Sequence, residues 1–223
     1  AAPSLGATVG EARVGGMAPF TCFSFHPRKS ITTGEGGVIT TNDDAAAERL
    51  RIARSHGAST SDLARHAGGS VDIEEYPNLG FNYRMTDMQG AIGIVQMGKL
   101  DAIVAARRAR ALRYNELLAN EARLVLPIEP AGRTHTFQSY CLWLQGTRPR
   151  HQIMADLAQQ GIATRRGVMA IHMEPLYRDA SGASLVSLPV TEAATAETML
   201  LPLYADMTDN EQDAVVNALL KAL

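Results

Sequence analysis

The chain has 223 residues, 46% of them hydrophobic and 20% charged, with a formal net charge of −2. This is the composition of a soluble globular protein with room for one large domain or two smaller ones. The near-neutral balance gives no electrostatic case for nucleic acid or an anionic membrane surface as partner. No apolar run approaches the roughly 18 residues of a membrane span, the N-terminus lacks a signal-peptide pattern, and the cytoplasm is the default compartment. Cys22 and Cys141 lie in apolar, strand-like runs, which predicts buried reduced thiols rather than a disulfide.

Residues 1–19 are rich in glycine and alanine, with a turn expected at Val14-Gly15-Gly16. The aromatic, β-prone stretch from Phe20 to Phe25 predicts a strand, and its continuous apolar run suggests cover on both faces. Pro27 ends ladder pairing, Lys29 falls on the following turn, and Val38 to Thr41 resumes as a second strand. A helix capped within Asn42–Asp44 is expected to run to about His56, with Ala45, Leu50 and Ile52 apolar and Gly57 as its stop. Residues 57–85, with Gly68-Gly69, Pro77 and Gly80, read as a long irregular segment, a type that is often functional.

Thr86 and Gln89 then form a capping box, and Met88, Ile92 and Val95 recur as one buried helical face. A further helix from Lys99 to Asn120 carries Arg107, Arg108, Arg110 and Arg113, balanced by Asp101, Glu116 and Glu121, and reads as a solvated connecting helix. The domain boundary is placed near residue 100, giving domains 1–100 and 101–223. The second is α+β: a strand at 138–145 with Trp143, a helix with Ile153, Met154 and Leu157 ended by Gly161, and a strand at 162–168. The last helix opens with a Thr208/Glu211 capping box and carries Val215, Val216, Leu219, Leu220 and Leu223 as its stripe.

The chemistry concentrates in Thr21–Gly37, where Lys29 is flanked by Ser24, Ser30, Thr32 and Thr33 and by Gly34, Gly36 and Gly37. A lysine amine becomes a nucleophile for carbonyl chemistry when burial or a neighbouring cation lowers its pKa, and the hydroxyls suit a phosphate. The plain alternative is a surface lysine in a hairpin loop. A P-loop ending is excluded, because Phe23 and Arg28 stand where that loop needs glycine. Asn82 and Arg84 precede a capped helix N-terminus, which attracts anions, although an Asn turn and a solvated arginine explain them equally well. His172-Met-Glu174 has the His-x-Glu of zinc deaminases without the Pro-Cys-x-x-Cys that must follow, and no His-Glu-x-x-His occurs; no metal site is expected. A packed loop histidine is the simpler reading of His172.

The run Ser24-Phe-His-Pro-Arg-Lys-Ser-Ile-Thr-Thr-Gly-Glu-Gly-Gly37 resembles the lysine segment of the DegT/DnrJ/StrS sugar aminotransferases, which depend on pyridoxal 5′-phosphate. The resemblance implies that Lys29 forms the Schiff base with the cofactor and that Ser24 holds its phosphate. Gly80-Phe-Asn-Tyr-Arg-Met-Thr-Asp-Met-Gln89 resembles a second motif of that family. It implies that Asn82 reaches the cofactor phosphate of a neighbouring subunit, that Arg84 faces the anionic substrate, and that the enzyme is a homodimer with shared sites. His172-Met-Glu-Pro-Leu-Tyr177 is similar to a loop near the family's sugar-nucleotide site, which makes His172 a substrate contact, and Leu201-Pro-Leu-Tyr204 with Met207-Thr208 is similar to its closing stretch.

The resemblance thus covers nearly the whole chain and implies an α/β fold, the fold-type-I (aspartate-aminotransferase-like) pyridoxal-phosphate transferase. The large domain would be incomplete and followed by a small α+β C-terminal domain. The implied reaction moves an amino group, usually from glutamate, to a keto carbon of a nucleotide-linked deoxy sugar; Thr164-Arg-Arg-Gly-Val-Met169 is similar to the perosamine-synthase branch. Ala1-Ala-Pro-Ser-Leu-Gly-Ala looks like the family's Asp-Ala-Ala-x-x-Leu-Gly-Ala motif after its aspartate, with Pro3 where a polar residue is common. The expectation is therefore a C-terminal portion of a longer enzyme that folds poorly and binds cofactor weakly on its own. Sugar dehydratases of the same fold replace the lysine with histidine, and Lys29 argues against that activity. A non-catalytic module retaining the fold is the rival from another class.

Overall fold

The computed structural model describes residues 1–59, 75–179 and 186–223. Gly68 and Gly69 of the expected irregular segment lie outside these residues. The chain forms two compact units, Ala1–Asp101 with Gly132–Thr136, and Ala102–Ala131 with Phe137–Leu223.

In the first unit, β1 (Thr8–Val9) pairs antiparallel with β2 (Ala12–Arg13) and with the distant β6 (Arg133–Thr134). The hairpin of β3 (Thr21–Ser24) and β4 (Gly37–Thr40) pairs Thr21 with Thr40 and Ser24 with Gly37. Side chains alternate along a strand, so Thr21 and Phe23 are buried while Cys22 faces outward. This corrects two expectations: Cys22 is an exposed thiol, and β3 is covered on one face of this chain only. Cys141 is half-buried, and neither cysteine is bonded.

Helix α1 (Asp44–Ala53) is capped by Asp43, whose carboxylate accepts from Ala46 N at 3.0 Å. It ends before His56, because His56 and Gly57 take left-handed φ values of 62° and 81°; its buried residue is Ala46. Helix α2 (Asp87–Gly98) has the expected Thr86/Gln89 capping box. Its expected buried face is open, however, with Met88 77%, Ile92 49% and Val95 57% exposed. Periodicity identifies the apolar face of a helix but not whether the same chain covers it.

Helix α3 (Leu100–Leu118) enters the second unit, where β5 (Leu124–Val125), β7 (Tyr140–Leu144), β9 (Thr198–Leu201) and β8 (Arg165–Arg166) form an antiparallel sheet in the order β5-β7-β9-β8. Strand β8 is much shorter than the expected 162–168. Its arginines suit an edge position, where charge discourages pairing with other chains. Tyr140, Leu142 and Leu144 of β7 point into a core with Tyr114 and Leu118 of α3, Ile153 and Leu157 of α4 (Arg150–Gln159), and Val215 and Leu219 of α6 (Asp209–Ala222). On α6, which has the expected Thr208/Glu211 capping box, Gln212, Ala218 and Ala222 complete the buried face, while Leu220 is exposed. Helix α5 (Pro189–Glu197) leads into β9.

The α3 arginines are half-buried connectors rather than a solvated row. Arg107 donates to the carbonyls of Phe137 and Gln138 at 3.0 and 2.6 Å, Arg108 pairs with Glu129, Arg110 with Asp209, and Arg113 with Asp213 at 2.7 Å. Among the described residues no helix is long and apolar enough to cross a membrane.

Leu157 is fully buried, and its truncation removes contacts from α4, α6 and the sheet together. Leu157→Ala is expected to lower stability by about 2–5 kcal/mol in a denaturant titration, as buried leucine deletions do. Leu220→Ala, at an exposed position of α6, is expected to change it by less than about 1 kcal/mol.

Candidate active site

The β3–β4 connection folds around its own polar groups. Pro27 presets the turn, and Lys29 N–H donates to the His26 carbonyl at 2.9 Å. His26 N–H donates to Ser24 Oγ at 3.3 Å, and Arg28 N–H donates to His26 Nδ1 at 3.1 Å. Ser24 and Lys29, both half-buried, are thereby fixed at the two ends of one turn. Among the described residues the Lys29 ammonium has no carboxylate or carbonyl partner.

Of the remaining hydroxyls, Thr32 donates to the Phe25 carbonyl and Thr33 to the Glu35 carbonyl, each at 2.8 Å. Both thus serve the loop itself. The Ser30 hydroxyl is buried without a hydrogen-bond partner. The glycines are sterically required: a Cβ on Gly36, at φ 147°, would lie 2.8 Å from Thr33 Oγ1, and one on Gly37 would lie 2.7 Å from the Phe23 carbonyl.

Helix α2 closes on this loop through Gln89. Besides completing its capping box, Gln89 donates to the Glu35 carbonyl at 3.0 Å. The segment before α2 is strapped to the end of α1 by Phe81 N–H to Ala53 O, His56 N–H to Phe81 O and Tyr83 N–H to Arg54 O. That crossing is tight enough that a Cβ on Gly57 would lie 1.8 Å from the Asn78 carbonyl. Phe81 and Tyr83 stack at 5.1 Å on one side of this extended segment, so Asn82 projects to the other. Asn82 and Arg84 are exposed and make no hydrogen bond to Ser24 or Lys29.

His172 belongs to the second unit, in a single 3-10 turn, Ile171–Met173. Its side chain is 10% exposed and its Nε2 lies 3.2 Å from Glu192 Oε1. Glu192 also accepts from Leu188 N–H at 2.8 Å. The Leu188 amide and then His172 hold the Glu192 carboxyl below its ordinary value.

The lysine turn was legible in sequence; the roles of His26 and Gln89 within it were missed. A His-Pro pair opening a turn was the available signal for the first. The second Gln89 contact spans the gap from loop to helix and has no local signal.

The DegT/DnrJ/EryC1/StrS aminotransferase family model matches residues 1–220. The chain belongs to this family. It is 34% identical to the uncharacterized protein MJ1066 of Methanocaldococcus jannaschii over 99% of its own length and 58% of that protein. Among solved structures it is similar to Helicobacter pylori PseC, an aminotransferase involved in pseudoaminic acid biosynthesis, with TM-score 0.88 and 24% identity over 100% of this chain and 58% of that one. The PMP form of the putative sugar aminotransferase Spr1654 of Streptococcus pneumoniae gives TM-score 0.85 at 24% identity, again covering 100% and 58%. The chain therefore has the fold of these aminotransferases and spans less than two thirds of the length of the relatives it matches.

Because the folded-state value of Glu192 is depressed, its pairing adds stability that is fully present above the ordinary glutamate value of 4.5 and is lost as pH falls through the lowered value. Wild type is expected to melt above Glu192→Gln at neutral pH, with the gap closing in acid. A gap that stays constant through the acid range would contradict this assignment.

Proposed function

We propose that the protein is a pyridoxal-phosphate-dependent aminotransferase that moves an amino group, with glutamate as donor, onto a keto carbon of a nucleotide-linked deoxy sugar. The observation that carries this reading is the lysine turn, in which half-buried Lys29, its amine without a partner among the described residues, shares one turn with a hydroxyl and a glycine-lined loop. These residues fit the cofactor: an amine meets an aldehyde, and Ser24 Oγ, which accepts from His26 N–H, keeps its own proton for a phosphate oxygen. The required glycines let backbone approach where a side chain would collide.

When bound, pyridoxal phosphate supplies the electron sink for reactions at the amino carbon. Lys29 would be the nucleophile that holds it and the base whose Nζ would carry a proton. Ser24 donates to the phosphate. Asn82, on its exposed segment, donates to the cofactor phosphate of a second copy in a homodimer with shared sites, and Arg84 faces the anionic substrate. His172, oriented by Glu192, contacts the sugar. Residues 1–100 belong to the large cofactor-binding domain and 101–223 to the small α+β domain, in the cytoplasm.

Borohydride reduction of the cofactor-loaded full-length protein, followed by peptide mapping, is expected to place the pyridoxyl group on Lys29. Labelling of Lys99 or Lys221 instead would refute the assignment. For the shared site, mixing full-length Lys29→Ala and Asn82→Ala subunits is expected to restore activity, because one site in each mixed dimer is intact. Mixtures no more active than either parent would exclude the trans role of Asn82.

A further inference from the structure

We propose that His26 is the positioning residue of the lysine turn, setting where Lys29 and the Ser24 hydroxyl stand toward the cofactor. The proposal rests on the reading of Lys29 as the cofactor lysine. Three contacts converge on His26: its amide donates to Ser24 Oγ, its carbonyl accepts from Lys29 N–H, and its ring Nδ1 accepts from Arg28 N–H. One residue therefore touches both proposed cofactor ligands through its backbone and pins the turn between them through its side chain.

The ring contact has a definite chemistry. An imidazole nitrogen that accepts a hydrogen bond carries no proton, so neutral His26 is protonated on Nε2. Nε2 faces Glu35 Oε1 at 3.8 Å, beyond hydrogen-bond range but close enough for electrostatic attraction to favour that orientation. Glu35 is itself held, because its carbonyl accepts from Thr33 Oγ1 and Gln89 Nε2. The Arg28 amide thus aligns the ring, and the exposed Glu35 carboxylate lies on its Nε2 side.

A side-chain acceptor at the first turn position, reaching the amide two residues on, is the arrangement Asn and Asp make in Asx turns. Here His26 performs it with Nδ1. Asparagine, whose Oδ1 has the same reach, is therefore a replacement that keeps the contact. Glutamine carries its oxygen one bond too far, and alanine has none. A residue needed only for bulk would show no such preference.

The test uses the full-length protein and pyridoxal 5′-phosphate. The apo-proteins of wild type, His26→Asn, His26→Gln and His26→Ala are titrated with the cofactor, following its absorbance, and the cofactor-bound wild type is reduced and mapped. His26→Asn is expected to bind within about twofold of wild type, while His26→Gln and His26→Ala bind about three- to tenfold more weakly, the size of one ordinary hydrogen bond. Pyridoxyl on Lys29 with equal affinity in all four proteins overturns this proposal and leaves the cofactor reading standing, as does an Asn variant as weak as Ala. Pyridoxyl on another lysine overturns both. Should a variant fail to fold, ring ¹⁵N NMR of wild-type apo-protein decides: an unprotonated Nδ1 with protonated Nε2 is expected, and the opposite tautomer rules the proposal out.

Discussion

An irregular turn has no ladder to absorb its amides and carbonyls, and the lysine loop depends on its own side chains to do so. Thr32 both donates to the Phe25 carbonyl and accepts from Gly34 N–H, Thr33 covers the Glu35 carbonyl, and His26 takes the Arg28 amide. Each of these residues is spent on the loop, and Lys29 is not. The proposed role of Lys29 would need that separation: if the lysine held its own turn together, it could not move without loosening the scaffold.

The same economy explains the glycines. With Thr33 buried under the loop and Phe23 paired across the hairpin, neither Gly36 nor Gly37 has room for a methyl group. Gly93 presses α2 onto the same place, since its Cβ would meet the Thr33 methyl at 3.2 Å. Loop and helix are thereby held as one body, by packing at Thr33 and by the Gln89 bond to the Glu35 carbonyl.

What could be read from the sequence was local. Both capping boxes and the lysine turn lie within a few residues of their partners, so residue type and spacing determine them. What could not be read depends on distant partners. The α3 arginines looked solvated because their nearest acids, Glu116 and Asp101, lie on the same helix, whereas Arg110 and Arg113 reach Asp209 and Asp213, about a hundred residues on. The apolar pattern of α2 was correctly apolar but wrongly assigned as buried, as was Cys22 on β3.

The open apolar face of α2 has a physical consequence. The second unit closes its core around Tyr114, Leu157 and Leu219, while in the first Met88, Ile92 and Val95 on one face of α2 stay open, as do the stacked Phe81 and Tyr83 that precede α2 in the chain. Exposed apolar surface of this kind is what a partner protein, a ligand or a membrane covers when it is contiguous and large. Asn82 and Arg84 stand on the segment that runs into it. In the proposed dimer, covering this face and delivering Asn82 to the neighbouring site would be the same event. The apolar contact would supply the association energy, and the polar residues on the segment would contribute chemistry without having to provide affinity.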